Sequence, residues 1–88
     1  MVMNDDEKPD FKLLGYLDAN HFCEHRANAS EGLIMFGGSF HKALGYTLFR
    51  ADLNNAIKLM RVWAQECEMH AILYKAYLAK QKAESGQG

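Results

Sequence analysis

The sequence predicts an all-α protein: a short helix over about 39–51, a tight corner, and a long C-terminal helix over about 53–83. Three observations carry this. Apolar residues recur at Leu53, Ile57, Met60, Ala64, Cys67, Ala71, Tyr74 and Leu78 in steps of four and three, which sets them on one side of a helix. A second pattern, Phe40, Ala43, Leu44, Thr47, Leu48 and Ala51, also has helical spacing, with Ser39 placed as its N-cap. Between the two patterns there is almost no loop, since Asp52 both ends one and caps the next. Such a junction favours an angled helix pair or helical hairpin.

Eighty-eight residues make one domain. Residues 1–10 read as a disordered lead-in, because Asn4, Asp5, Asp6, Glu7 and Lys8 bury nothing and Pro9 stops a helix. The helical domain is expected over 11–84 and a frayed tail over 85–88. Phe11, Leu13, Leu14, Tyr16 and Leu17 form an apolar cluster that fits either a short helix or an extended strap. Asp18 or Asn20 is placed to cap a turn of helix over 21–27, putting His21 and His25 on a common face. The run Asn28, Ala29, Ser30, Glu31, Gly32 has loop composition, residues 33–36 form a short apolar plug, and Gly37-Gly38 breaks the chain. The N-terminal part therefore reads as irregular or short-helical.

The long helix sets the demand for partners. At about 30 residues it would span about 45 Å, against about 18 Å for the helix that opens at Phe40. Ala56, Trp63, His70 and Tyr77 widen one flank of its seam, and Leu59, Val62, Met69 and Leu73 widen the other. A helix apolar over more than half its circumference needs several neighbours, and a small chain offers few. Trp63, Met69, Ile72, Leu73, Tyr77 and Leu78 are left as a candidate interface. A second copy of the chain is the simplest cover, since most soluble oligomers are symmetric. The alternative is a monomer in which residues 11–36 fold over the whole helix.

Charge and cysteine usage narrow the function classes. Ten Lys plus Arg stand against eleven Asp plus Glu, a net charge of −1, which argues against a protein built to grip a phosphate backbone. Two cysteines are too few for a disulfide framework. The start of the chain is acidic where a secretory leader is basic and then apolar. No apolar run approaches the roughly 20 residues of a membrane span. The expectation is a cytoplasmic protein.

Three constellations could carry chemistry. His21, Cys23 and His25 set against Cys67 and His70 supply zinc-type donors in helix-compatible pairs, and a metal would brace a small chain. However, Cys67 lies on the apolar seam, where a free cysteine acts as a small hydrophobe. For nucleophilic catalysis, Glu66 and Glu68 beside Cys67 would raise its pKa. No paired-carboxylate site, nucleophile elbow or metalloprotease motif is present, so the protein is not expected to be an enzyme. Gly37, Gly38 and Ser39 ahead of a helix have the form of an anion site, although two glycines more often simply make the turn.

The residues Phe36-Gly37-Gly38-Ser39-Phe40, Ala43-Leu44-Gly45, Leu48, Arg50-Ala51-Asp52, Asn55 and Lys58-Leu59 carry a resemblance. Over about 36–63 the chain resembles a group of small uncharacterised phage and prophage proteins with a Gly-Gly-Ser-Phe opening, an Ala-Leu-Gly helix and an Ala-Asp corner. Members often carry a Pro before a Tyr-Trp pair, which Val62-Trp63-Ala64-Gln65 lacks. The resemblance implies a phage-encoded accessory protein in a bacterial host cytoplasm and names no catalytic or binding residue. The function expected is a protein-interaction module that modulates or inhibits a host protein. The alternative is a helical oligomer binding zinc or a small anionic or nucleotide ligand.

Overall fold

A computed structural model describes residues 9–86. Among them the architecture is all-α, with four helices: α1 (Ala19–Phe36), α2 (Ser39–Arg50), α3 (Leu53–Val62) and α4 (Ala64–Gly86). The lead-in expected over 1–10 lies outside the described residues up to position 8. The helix α4 runs to Gly86, into the tail expected to fray over 85–88.

The N-terminal strap wraps a single ring. Residues 11–15 form turns, with Gly15 at φ 94°, a left-handed value that glycine adopts without penalty. Phe11 and Tyr16 then close on Phe22 at ring-centroid distances of 5.3 and 5.0 Å. Leu13 and Leu17 point away and are 85% and 75% exposed.

Asp18 caps α1, its carboxylate accepting from the His21 N–H at 2.8 Å. From there α1 runs unbroken for 18 residues, which corrects the loop expected over 28–32 and the short plug at 33–36. Loop composition reflected what those residues do in the packing. Ala29, Ser30, Gly32 and Leu33 are all buried and form the surface on which the other helices rest. A Cβ added to Gly32 would meet the His70 carbonyl oxygen at 1.9 Å, so α4 crosses α1 backbone against side-chain-free backbone. Tertiary contact outweighs the roughly 1 kcal/mol that glycine costs a helix interior.

The helix α2 returns antiparallel to α1 over the two-residue turn Gly37-Gly38. Gly45 allows a similar approach, since a Cβ there would lie 2.9 Å from both Leu33 Cβ and Ile34 Cγ1. The buried residues of α2 are Leu44, Gly45 and Leu48. This corrects the stripe expected through Phe40, Ala43 and Thr47, all exposed. The cap is Gly38, which makes no side-chain bond, and Ser39 is the first helical residue. At the far end Arg26 donates from Nε and Nη2 to the Leu48 carbonyl at 3.2 and 2.9 Å, and from Nη2 to the Ala51 carbonyl. One guanidinium of α1 thus satisfies the last carbonyls of α2, which a helix leaves without partners.

The tight corner is present at Ala51-Asp52, and Asp52 caps α3 by accepting from the Asn55 N–H at 2.9 Å. The single helix expected over 53–83 is broken at Trp63, which adopts φ −109° and ψ 39°. Hydrogen bonds bridge the bend, from the Trp63 N–H to Leu59 and from the Cys67 N–H to Trp63. No proline or glycine lies there, so the cause is tertiary. The bend brings Ile57, Met60 and Ala64 onto the hollow lined by Leu14, Tyr16 and Phe22, while Cys67 and Ala71 seal α1.

The core is made of Phe22, Ala29, Leu33, Leu44, Leu48, Ala56, Met60, Cys67 and Ala71. Four of these are Ala or Cys, so the volume of buried side chain is small. The helix α4 follows α1 in the same chain sense, with His70 on Gly32 and Tyr77 on Phe36. Phe36 is the last residue of α1, so about nine residues of α4, or about 13 Å, overhang it. The radius of gyration is 14.6 Å, against about 12 Å for a compact chain of this length.

Candidate interaction surface

The seam read from the sequence divides by burial. Met60, Cys67 and Ala71 are buried, Leu53, Ile57 and Tyr74 are half-buried, and Ala64 and Leu78 are exposed. Of the six expected interface residues, Met69 is 59% exposed, Ile72 58%, and Leu73 and Leu78 43% each. Trp63 and Tyr77 are half-buried. Trp63 meets Phe40 at 5.1 Å and Tyr77 meets Phe36 at 6.0 Å, both edge-on.

Met69, Leu73 and Tyr77 follow one another at four-residue spacing and so line one side of α4. Phe36 and Phe40, themselves 43% and 52% exposed, extend that side onto the α1–α2 turn. Their part was legible only as far as the Gly37-Gly38 break, which turns both rings towards α4. A separate apolar surface lies on α2, where Tyr46 and Phe49 are 53% and 64% exposed around a hollow shared with Ile34. Helical spacing alone gave no signal for it, because these residues fall outside the stripe that the spacing picked.

The metal-type residues do not gather. Among the described residues no three His, Cys, Asp or Glu side chains form a group that could hold an ion. His21 and His25 flank Tyr16 at 5.7 and 5.9 Å, and Cys23 is exposed. Cys67 is buried, and burial followed by the Glu66 charge pushes its thiol up to about 11. A neutral buried thiol is neither a good nucleophile nor a ready metal ligand. Burial holds His25 below the usual imidazole value, against an opposing pull from Glu68. Burial also raises the Tyr16 phenol.

His70 has a different partner from the one the donor set implied. Its ring stacks on His41 at 5.0 Å, and its Nδ1–H donates to the Glu66 carbonyl at 2.7 Å. At the candidate anion site, Lys42 is engaged elsewhere, donating from Nζ to the Ile34 carbonyl at 2.7 Å. It therefore caps the end of α1 from the start of α2.

A hollow of about 520 Å³ sits at the α2–α3 corner between Arg50 and Lys58. Its neutral polar groups are spent locally: Thr47 donates to the Ala43 carbonyl and the Asn55 amide to Asp52. Among the described residues no helix is long and apolar enough to cross a membrane. Compared with protein-family models, curated proteins and solved structures, the chain matches none.

Proposed function

We propose that the protein is a non-enzymatic interaction module that works as a homodimer and modulates a host protein, in the cytoplasmic phage or prophage setting the resemblance implies. One observation carries the reading. Large apolar side chains that a chain of this size needs for its own core stand outside it, while four of the nine core residues are Ala or Cys. Contiguous exposed apolar surface of this kind marks contact with another protein. The overhang of α4 and the enlarged radius of gyration support the same reading.

Two surfaces divide the work. The outer side of α4 pairs copies, and the Tyr46–Phe49 surface of α2 seats the host protein. The reading as a zinc- or anion-binding oligomer has less support. The buried thiol stays protonated, and the lysine beside Gly38 is spent on Ile34.

The test is a photo-crosslinking amino acid placed at Leu73 or Phe49 in the full chain, irradiated in bacterial lysate at micromolar protein. Stoichiometric labelling of protein at these positions, and none at exposed Glu24, is the expected result. Labelling of neither position would remove the reading.

A further inference from the structure

We infer that the outer face of α4 binds a second copy of this chain in antiparallel register, with the two-fold axis at Leu73. This rests on the reading of α4 as a contact surface and names its occupant.

Register follows from helix geometry. At 100° per residue, Glu66, Met69, Tyr77 and Lys80 all fall within about 40° of Leu73. They are also placed symmetrically along the helix, seven and four residues to either side. A two-fold axis through Leu73 therefore sets Leu73 against itself, Met69 against Tyr77 of the second copy, and Glu66 against its Lys80. Such self-complementarity is what an isologous interface requires.

Charge selects this arrangement over the parallel one. Of the charged residues of α4, Glu66 in the first half and Lys80 in the second lie on the Leu73 side, with Glu84 one turn beyond Lys80. Antiparallel pairing joins opposite signs at both ends, whereas parallel pairing would set Glu66 on Glu66 and Lys80 on Lys80. Like charges directly opposed select against the wrong partner geometry.

Shape agrees. The stretch of α4 that overhangs Phe36 is exposed over residues 78–85, beyond the contact of Tyr77 with the final residue of α1. In the antiparallel pair that stretch lies over the start of α4 in the second copy. There the half-exposed Phe40 ring rests on Trp63. Both unfilled ends of the fold are thus covered at once.

Cysteine crosslinking in a Cys23→Ser background reads the register, because Cys67 is buried. Leu73→Cys alone should form a disulfide dimer under mild oxidant. Glu66→Cys alone should not, since its two copies would stand about 20 Å apart along the axis. A mixture of Glu66→Cys and Lys80→Cys chains should crosslink. On the cysteine-free surface, Glu66→Lys and Lys80→Glu should each weaken dimerisation about fivefold to tenfold, because symmetry counts each clash twice. The double variant E66K/K80E should restore it. Efficient crosslinking of Glu66→Cys with itself, or single charge reversals without effect, would overturn the register. A dimer in another register overturns only this inference, whereas an unlabelled photo-crosslinker at Leu73 and Phe49 removes the interaction reading itself.

Discussion

Replacing Gly32 by Ala tests the crossing on which the fold depends. On an isolated helix the change would help, because Ala exceeds Gly by roughly 1 kcal/mol in a helix interior. Here the new Cβ would lie 1.9 Å from the His70 carbonyl oxygen and 2.6 Å from its carbonyl carbon. Ordinary C···O contact is about 3.3–3.6 Å, so α1 and α4 would have to separate by about 1.5 Å. A gap of about 1 Å already forfeits up to half of each dispersion contact, and Ala29, Leu33, Cys67 and Ala71 are all buried nearby. Overpacking with backbone displacement costs about 1–3 kcal/mol or more. With rigid backbone on one side of the clash, a net loss of about 2–3 kcal/mol is expected. For a domain this small, that lowers Tm by roughly 10–20 °C. Thermal unfolding followed by far-ultraviolet circular dichroism measures it, with urea titration as the check on ΔG. A G32A protein that melts at or above the wild-type temperature would refute the backbone-to-backbone crossing.

Other consequences are local. Ser30 is buried with an unpartnered hydroxyl, so Ser30→Ala should be neutral or stabilise by about 1 kcal/mol in urea unfolding; a loss above that would mean the hydroxyl has a partner. Asp52→Ala removes the α3 cap and should cost about 1 kcal/mol, read as a Tm lower by about 4–8 °C. The Cys67 thiol has a folded pKa of about 11 against an ordinary 9.0. Its contribution is therefore complete below pH 9 and lost as pH rises towards 11, and the decline in Tm over that window should be shallower in Cys67→Ala. His25 has the opposite sense, because its folded pKa is lowered. Its contribution is present above the unfolded value and lost as pH falls from there through the lower folded pKa, so His25→Gln should flatten the acid side of the stability profile.

The helix starts were legible where their signals are local. The caps at Asp18 and Asp52 and the corner between α2 and α3 follow from single side chains meeting backbone N–H groups. The exposed stripe on α4 followed from counting apolar faces against the neighbours available. What the sequence concealed depends on contacts between distant residues. Gly32 looks like a loop residue until His70 is laid across it, and Trp63 gives no local reason to bend. His70 pairs with His41 because two turns bring them together, a juxtaposition that spacing cannot show. The same holds for Phe40, whose ring belongs by periodicity to the α2 core and in three dimensions to the edge of α4.

In the proposed dimer, the apolar face that α4 holds out of its own core meets another chain. Sedimentation equilibrium of the full-length protein from about 1 to 200 µM, beside a Leu73→Asp variant of unchanged helicity, tests it most directly. The expected result is a concentration-dependent dimer for the wild type and a monomer for the variant. A wild-type chain that stays monomeric at the highest concentration would contradict it.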